Sequence, residues 1–200
     1  MLDDSFPYKR QLRRELGAVR NRSLTDCDER AWLRLERFVF WSAFVIRKLA
    51  EAKKLSDEFE AERFTVRRHP AVDPDGYQDH MNAHRIESHY DLERSESKTV
   101  DPLWIASQLV HSFSFILQID DDGRPAGLYF NSDRSRRTSL FDLPWTEFER
   151  LILLVCGDDI VAMRFNRITG ELRKWREPPS EVPGEGLDLL PDEPPAAADP

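Results

Sequence analysis

The residue types best suited to chemistry gather at two points of the chain. His111 is followed by Ser112 where a helical apolar stripe gives way to an apolar run. A histidine beside a hydroxyl at such a junction can serve as a general base. It is equally at home as a helix C-terminal residue, where the dipole favours a cation and backbone carbonyls offer partners. No Gly-x-Ser-x-Gly elbow or Gly-rich loop accompanies it. The second point is the run Asn131-Ser132-Asp133-Arg134-Ser135-Arg136-Arg137. Arginine forks and hydroxyls suit a phosphate or a carboxylate, while Asn-Ser-Asp is also ordinary turn chemistry.

Other histidines cluster between residues 69 and 89. His80 and His84 stand four apart, a spacing that on a helix aims two imidazoles at one point, with His89, Glu87 or Asp91 available to complete a zinc set. No glutamate follows His80, so the metalloprotease pattern is not met. The set reads as solvated surface, and no cofactor or metal is assigned. Arg63 and His69 have a spacing similar to the Arg–His pair of the HEPN ribonucleases, in which the two side chains position and protonate a phosphodiester. That family carries its pair on a helix of an all-α bundle, whereas Phe64-Thr65-Val66 here reads as extended and Pro70 follows at once. The roles are therefore not transferred.

The net charge of −8 is a property of one end of the chain. From Glu177 to Pro200 there are seven acidic residues and no Lys or Arg, so removing them from −8 leaves −1 for residues 1–176. Acidity thus says nothing against nucleic-acid binding by the body. The same stretch is Pro-rich and without hydrophobic period, and reads as a disordered tail with too little apolar surface to offset its own ordering. Cys27 and Cys156 form no Cys-x-x-Cys pair and no disulfide framework. The start of the chain lacks a signal-peptide pattern, and no apolar run reaches the ~20 residues of a spanning helix. A cytoplasmic domain with no membrane partner is the expectation.

Periodicity predicts four helices. Tyr8, Leu12, Leu16 and Val19 make one stripe over residues 5–20, opposite a basic face of Lys9, Arg10, Arg13, Arg14 and Arg20. Asp26 and Glu29 resemble a capping box before a second helix, whose centre Phe38–Ile46 is apolar on every side and is expected to be buried all round. A third helix begins at Thr99 or Asp101 with Pro102, and a fourth at Pro144. Strands are expected at Arg63–Arg68, Arg85–Leu92 (or a helix within 77–90), Phe113–Ile119, Gly127–Phe130 and Thr138–Leu143. A final hairpin joins Ile160–Phe165 to Glu171–Trp175. The fold class is α+β: one domain, residues 1–176, of about four helices on a mainly antiparallel sheet, then the tail.

Two functions follow as expectations. The first is a non-enzymatic binding or regulatory module that meets a protein or nucleic acid through an Arg-rich surface or a sheet edge. The basic face of the first helix, with Arg20 and Arg22, would form that surface together with Arg134, Arg136, Arg137, Arg164 and Arg167, with the tail as an internal competitor. The second is an enzyme on a phosphate-bearing substrate, with His111 or His69 as acid–base and Arg134, Arg136 or Arg137 as clamp. It requires His111 and the arginine loop to face one concave pocket.

Overall fold

A computed structural model describes residues 4–20, 24 and 29–177. The chain runs α1 (Phe6–Arg20), α2 (Glu29–Glu51), α3 (Asp57–Ala61), β1 (Phe64–Pro70), α4 (Ile86–His89), β2 (Glu96–Val100) and α5 (Pro102–Val110). It continues through β3 (Ser112–Ile119), β4 (Pro125–Ser132), β5 (Ser139–Pro144), α6 (Trp145–Gly157), β6 (Ala162–Phe165) and β7 (Leu172–Trp175). Strands β2-β1-β5-β4-β3 form one antiparallel sheet in that order, and β6 and β7 a separate hairpin. The α+β class read from the sequence is the observed one. The two extra helices, α3 and α4, have five and four residues, too short to show a helical period.

Strand alternation sorts the main sheet into two faces. Phe64 and Val66 of β1, Leu128 and Phe130 of β4, and Phe141 and Leu143 of β5 are buried in one core with the helices. There Trp104 of α5 meets Phe141 edge-on with ring centres 4.8 Å apart. Each such aromatic, taken fully from water, contributes about 2–3 kcal/mol. Helix starts follow the local chemistry: Asp4 accepts from the Phe6 N–H at 2.9 Å, and Asp101 from the Trp104 N–H at 2.7 Å with Pro102 in the first turn. The capping residue expected at Asp26 lies outside the described residues, as does the tail beyond Glu177.

Three expectations are corrected. Residues 85–92 form no strand; the alternative, a helix within 77–90, is the one observed, as α4 at 86–89, and β1 pairs instead with β2. Ile86 and Tyr90, read as one face of a strand, are also four apart, and as i, i+4 neighbours they bury together against Leu140 on the sheet's second face. The centre of α2 is not enclosed: Phe40 and Phe44 are 37 % and 53 % exposed, because the neighbouring elements cover only part of its broad apolar stripe. Lys9 does not belong to a free basic face. It is buried, with its ammonium on the Asp158 carbonyl and 3.2 Å from Asp159.

Candidate partner-binding surface

The arginine loop is largely spent on the fold. Asn131 is fully buried; its Oδ1 accepts from the Ser114 N–H at 3.1 Å and its Nδ2 donates to the Tyr90 hydroxyl at 2.6 Å. That hydroxyl in turn donates to the Arg136 carbonyl at 2.5 Å. Ser132 and Ser135 close a turn, the Ser132 N–H reaching the Ser135 hydroxyl at 3.0 Å. Arg136 donates to the Gln78 carbonyl at 2.7 Å, pairs with Asp133 at 3.0 Å and lies 4.2 Å over the Phe113 ring. Arg134 and Arg137 remain exposed. Burial is the main cause that pushes the Tyr90 phenol above its ordinary range.

His111 sits exposed at the C-cap of α5, and its Nε2 lies 2.8 Å from Arg47. A guanidinium only donates, so this nitrogen accepts and the ring proton rests on Nδ1. Strand register brings Ser112 opposite Ser132, so His111 and the arginine loop share one end of the sheet. Yet Arg47, and none of the loop's arginines, is the hydrogen-bond partner of His111.

The other histidines are dispersed. His80 faces the Phe113 ring at 4.7 Å, and His89 Nε2 lies 3.2 Å from the Asn82 carbonyl. Among the described residues no group of three or more His, Cys, Asp or Glu is placed to hold a metal ion. Arg63 folds back on the Ala61 and Glu62 carbonyls just before β1, while His69 is buried near the far end of that strand. The two are therefore not brought together.

His69 belongs to a buried polar group the sequence did not announce. Its Nδ1 faces the Asp91 and Arg94 carbonyls at 3.3 and 3.1 Å, so it carries the proton. Its Nε2 is 3.9 Å from Asp142 Oδ2, which Arg67 contacts, while Gln118 donates to Asp142 Oδ1 at 2.8 Å. Tyr129 stands beside Asp142 in the register, and its phenol is pushed up by burial first and by that carboxylate second. His69 and Asp142 are 4 % and 1 % exposed, too enclosed to meet a substrate. The group was invisible in sequence because its members come from four strands.

The loop and hairpin arginines expected to share one surface divide between two poles of the sheet. The 133–138 loop sits where Pro70 pairs with Ser139. Helix α3 leads into the opposite end of β1, about 20 Å away at the rise of a strand. There the β6–β7 hairpin is fastened. Lys174, 3 % exposed, pairs with Glu60 at 2.6 Å and Asp57 at 3.4 Å, and the Lys174 N–H donates to Asp57 at 3.2 Å. The Arg176 N–H donates to Glu58 at 3.3 Å. Carboxylates of α3 thus occupy the outer edge of β7, while among the described residues β6 has no strand partner but β7.

What the hairpin presents is alternating. Val161, Met163 and Phe165 point to one side and are 59 %, 57 % and 60 % exposed. Arg164 and Arg173 face each other on the other side, and Arg167 and Ile168 occupy the tip. The tip is shaped by Asn166, whose side chain accepts from the Ile168 N–H at 2.9 Å, and by Gly170 at a φ of 72°. At the base, a groove of about 490 Å³ runs along α6, lined by Arg20, Glu149, Leu153, Leu154 and Arg176 among others. Arg20, Arg22, Arg164 and Arg167 were expected to join Arg134, Arg136 and Arg137 in one patch; Arg22 lies outside the described residues, and Arg164 and Arg167 lie at the opposite pole. The sequence signal for this surface was the Val-x-Met-x-Phe alternation of residues 161–165 beside arginines.

Among the described residues no helix is long and apolar enough to cross a membrane. Comparison with protein family models, with curated proteins and with solved structures finds no match for this chain.

Proposed function

We propose that the chain is a protein-binding module whose anchor is the β6–β7 hairpin, taking an extended partner segment in which apolar and acidic residues alternate. One observation carries this reading: Val161, Met163 and Phe165 are more than half exposed on one side of a short strand, with arginines on the other and, among the described residues, no strand partner on its outer edge. A segment paired to that edge would send successive side chains to the two sides in turn. Its apolar residues would meet Met163 and Phe165, and its carboxylates Arg164 and Arg173. Aromatic residues, Met and Arg are also the types enriched at protein interfaces, which favours a protein over a nucleic acid. The buried Lys174 anchor keeps the hairpin in place before binding, lowering the ordering cost.

The enzyme reading has less to rest on, since Arg136 and Asn131 are engaged in the fold and His111 is engaged by Arg47. The test is fluorescence anisotropy with a labelled peptide of alternating Leu and Asp, and a Leu–Lys peptide as control. The Leu–Asp peptide should bind, weaken as salt rises, and bind about tenfold more weakly to Phe165→Ser, ~1.4 kcal/mol. Equal binding of both peptides, or no effect of Phe165→Ser and Arg164→Ser, would sink the reading.

A further inference from the structure

The two edges of the main sheet are built differently. β2, at one edge, is five residues long and carries Glu96 and Lys98, with Glu96 tied to Arg68 at 3.5 Å. Short length and charge are the usual means by which an edge is kept from pairing with another chain. β3, at the other edge, has eight residues, Ser-Phe-Ser-Phe-Ile-Leu-Gln-Ile, with no charge and no proline. Among the described residues its only strand partner is β4.

The surface beside this edge is apolar as well. Phe40 of α2 lies with its ring centre 4.6 Å from that of Phe115, and Phe40 and Phe44 are 37 % and 53 % exposed. Leu33, on the same helix, is 63 % exposed. Among the described residues, a strand edge with no outer strand partner and a row of partly exposed phenylalanines therefore adjoin.

From this edge we infer that β3 pairs with β3 of a second copy of the chain, antiparallel across a two-fold axis through Ile116. The choice of a second copy rests on self-complementarity. About a two-fold axis the uncharged β3 opposes its own copy with like polarity, apolar residues to apolar and polar to polar, so no charge is left unpaired in the seam. The axis follows from the register. Bulges interrupt pairing between Ser112 and Ser114 and between Gln118 and Ile119, leaving Ser114–Gln118 regular. Side chains of opposed residues share a face, so the axis must pass through a residue and not between two. Ile116 is the midpoint of the regular stretch. Phe115 then stands opposite Leu117 on the helix-covered face, and Ser114 opposite Gln118 on the other. The Ser114 hydroxyl is buried and has no hydrogen-bond partner among the described residues. The Phe40 and Phe44 rows of both copies are carried toward each other above the joined sheet.

Sedimentation velocity of the full chain over a range of concentrations tests this. The expected result is a species of twice the 23.4 kDa chain mass. Phe44→Glu, at an exposed site that the fold does not need, should lose the dimer with an unchanged circular dichroism spectrum. Ile116→Lys and Ile116→Glu should each be monomeric alone and form a mixed dimer together, since the axis sets position 116 against itself. A monomer at every concentration, a dimer indifferent to both substitutions, or failure of the Lys and Glu chains to combine would overturn the proposal.

Discussion

Arg164 of β6 stands directly across the hairpin from Arg173 of β7, so two cations face each other on one side of a two-stranded ribbon. Like charges in this position cost about 0.2–1 kcal/mol. Glu171 relieves Arg173 in part, at 2.7 Å, with both groups largely in water. Arg164→Glu should therefore make the hairpin more stable, slowing amide exchange in β6 and β7, and at the same time abolish Leu–Asp peptide binding. Stability and binding moving together would contradict a ligand role for this arginine pair.

Lys174 is the tie between hairpin and body. Replacing it with Met leaves Asp57 and Glu60 facing each other without their cation. Full loss of a buried partner costs about 3–5 kcal/mol, but both carboxylates reach solvent, which brings the expected figure down to about 1–3 kcal/mol. Exchange of the hairpin amides should accelerate far more than exchange in α2 or β5. Uniform acceleration would mean that Lys174 serves the whole core.

Tyr90 joins three segments through one hydroxyl, and Tyr90→Phe should lower the denaturation midpoint by the equivalent of about 1–2 kcal/mol at neutral pH. The phenols of Tyr90 and Tyr129 are both raised, chiefly by burial. A group whose pKa is raised by folding leaves stability intact below its unfolded value, about pH 10, and withdraws it as pH climbs through the folded value. Denaturant melts of the wild type should therefore weaken above about pH 10, and Tyr90→Phe should weaken less steeply there. A wild type more stable in alkali would reverse the sign and refute this account.

Cys156 donates from its thiol to the Lys9 carbonyl at 3.2 Å, and burial pushes that thiol up. The thiolate is the reactive form. Iodoacetamide at mild alkaline pH should modify Cys156 slowly in the native protein and rapidly in denaturant, read by peptide mass. Equal rates would show that this end of α6 is open.

Removing residues 178–200 should leave the thermal midpoint within a few degrees of the full chain, because their composition offers little to bury. It also removes six carboxylates close in sequence to the hairpin, so the Leu–Asp peptide should bind more tightly to the truncated protein. Weaker binding after truncation would place the tail within the site.

The elements with strong period were readable because core contact and local pattern agree in them. The stripe of α1, the apolar run of β4 and the Asp101-Pro102 start of α5 are of this kind. Residues 85–92 misled because Ile86 and Tyr90 satisfy a strand at even spacing and a helix at four. Phe40 and Phe44 misled because hydrophobicity reports what a side chain prefers and not whether a neighbour exists to cover it. The arginine loop was read as a surface for ligands; Arg136 was instead claimed by Gln78, fifty-eight residues away, a contact no local pattern records. Edge position decides whether β3 or β6 is open, and strand order is set by long-range pairing, which a single sequence does not display.

The most direct measurement is a ¹⁵N–¹H correlation spectrum of the full chain titrated with the Leu–Asp peptide. The account predicts shifts concentrated in residues 161–175 and along the neighbouring groove of Arg20, Leu153 and Arg176, absent in the Arg164→Ser, Phe165→Ser double variant. Shifts centred on residues 131–137 and His111, or none at saturating peptide, would contradict it.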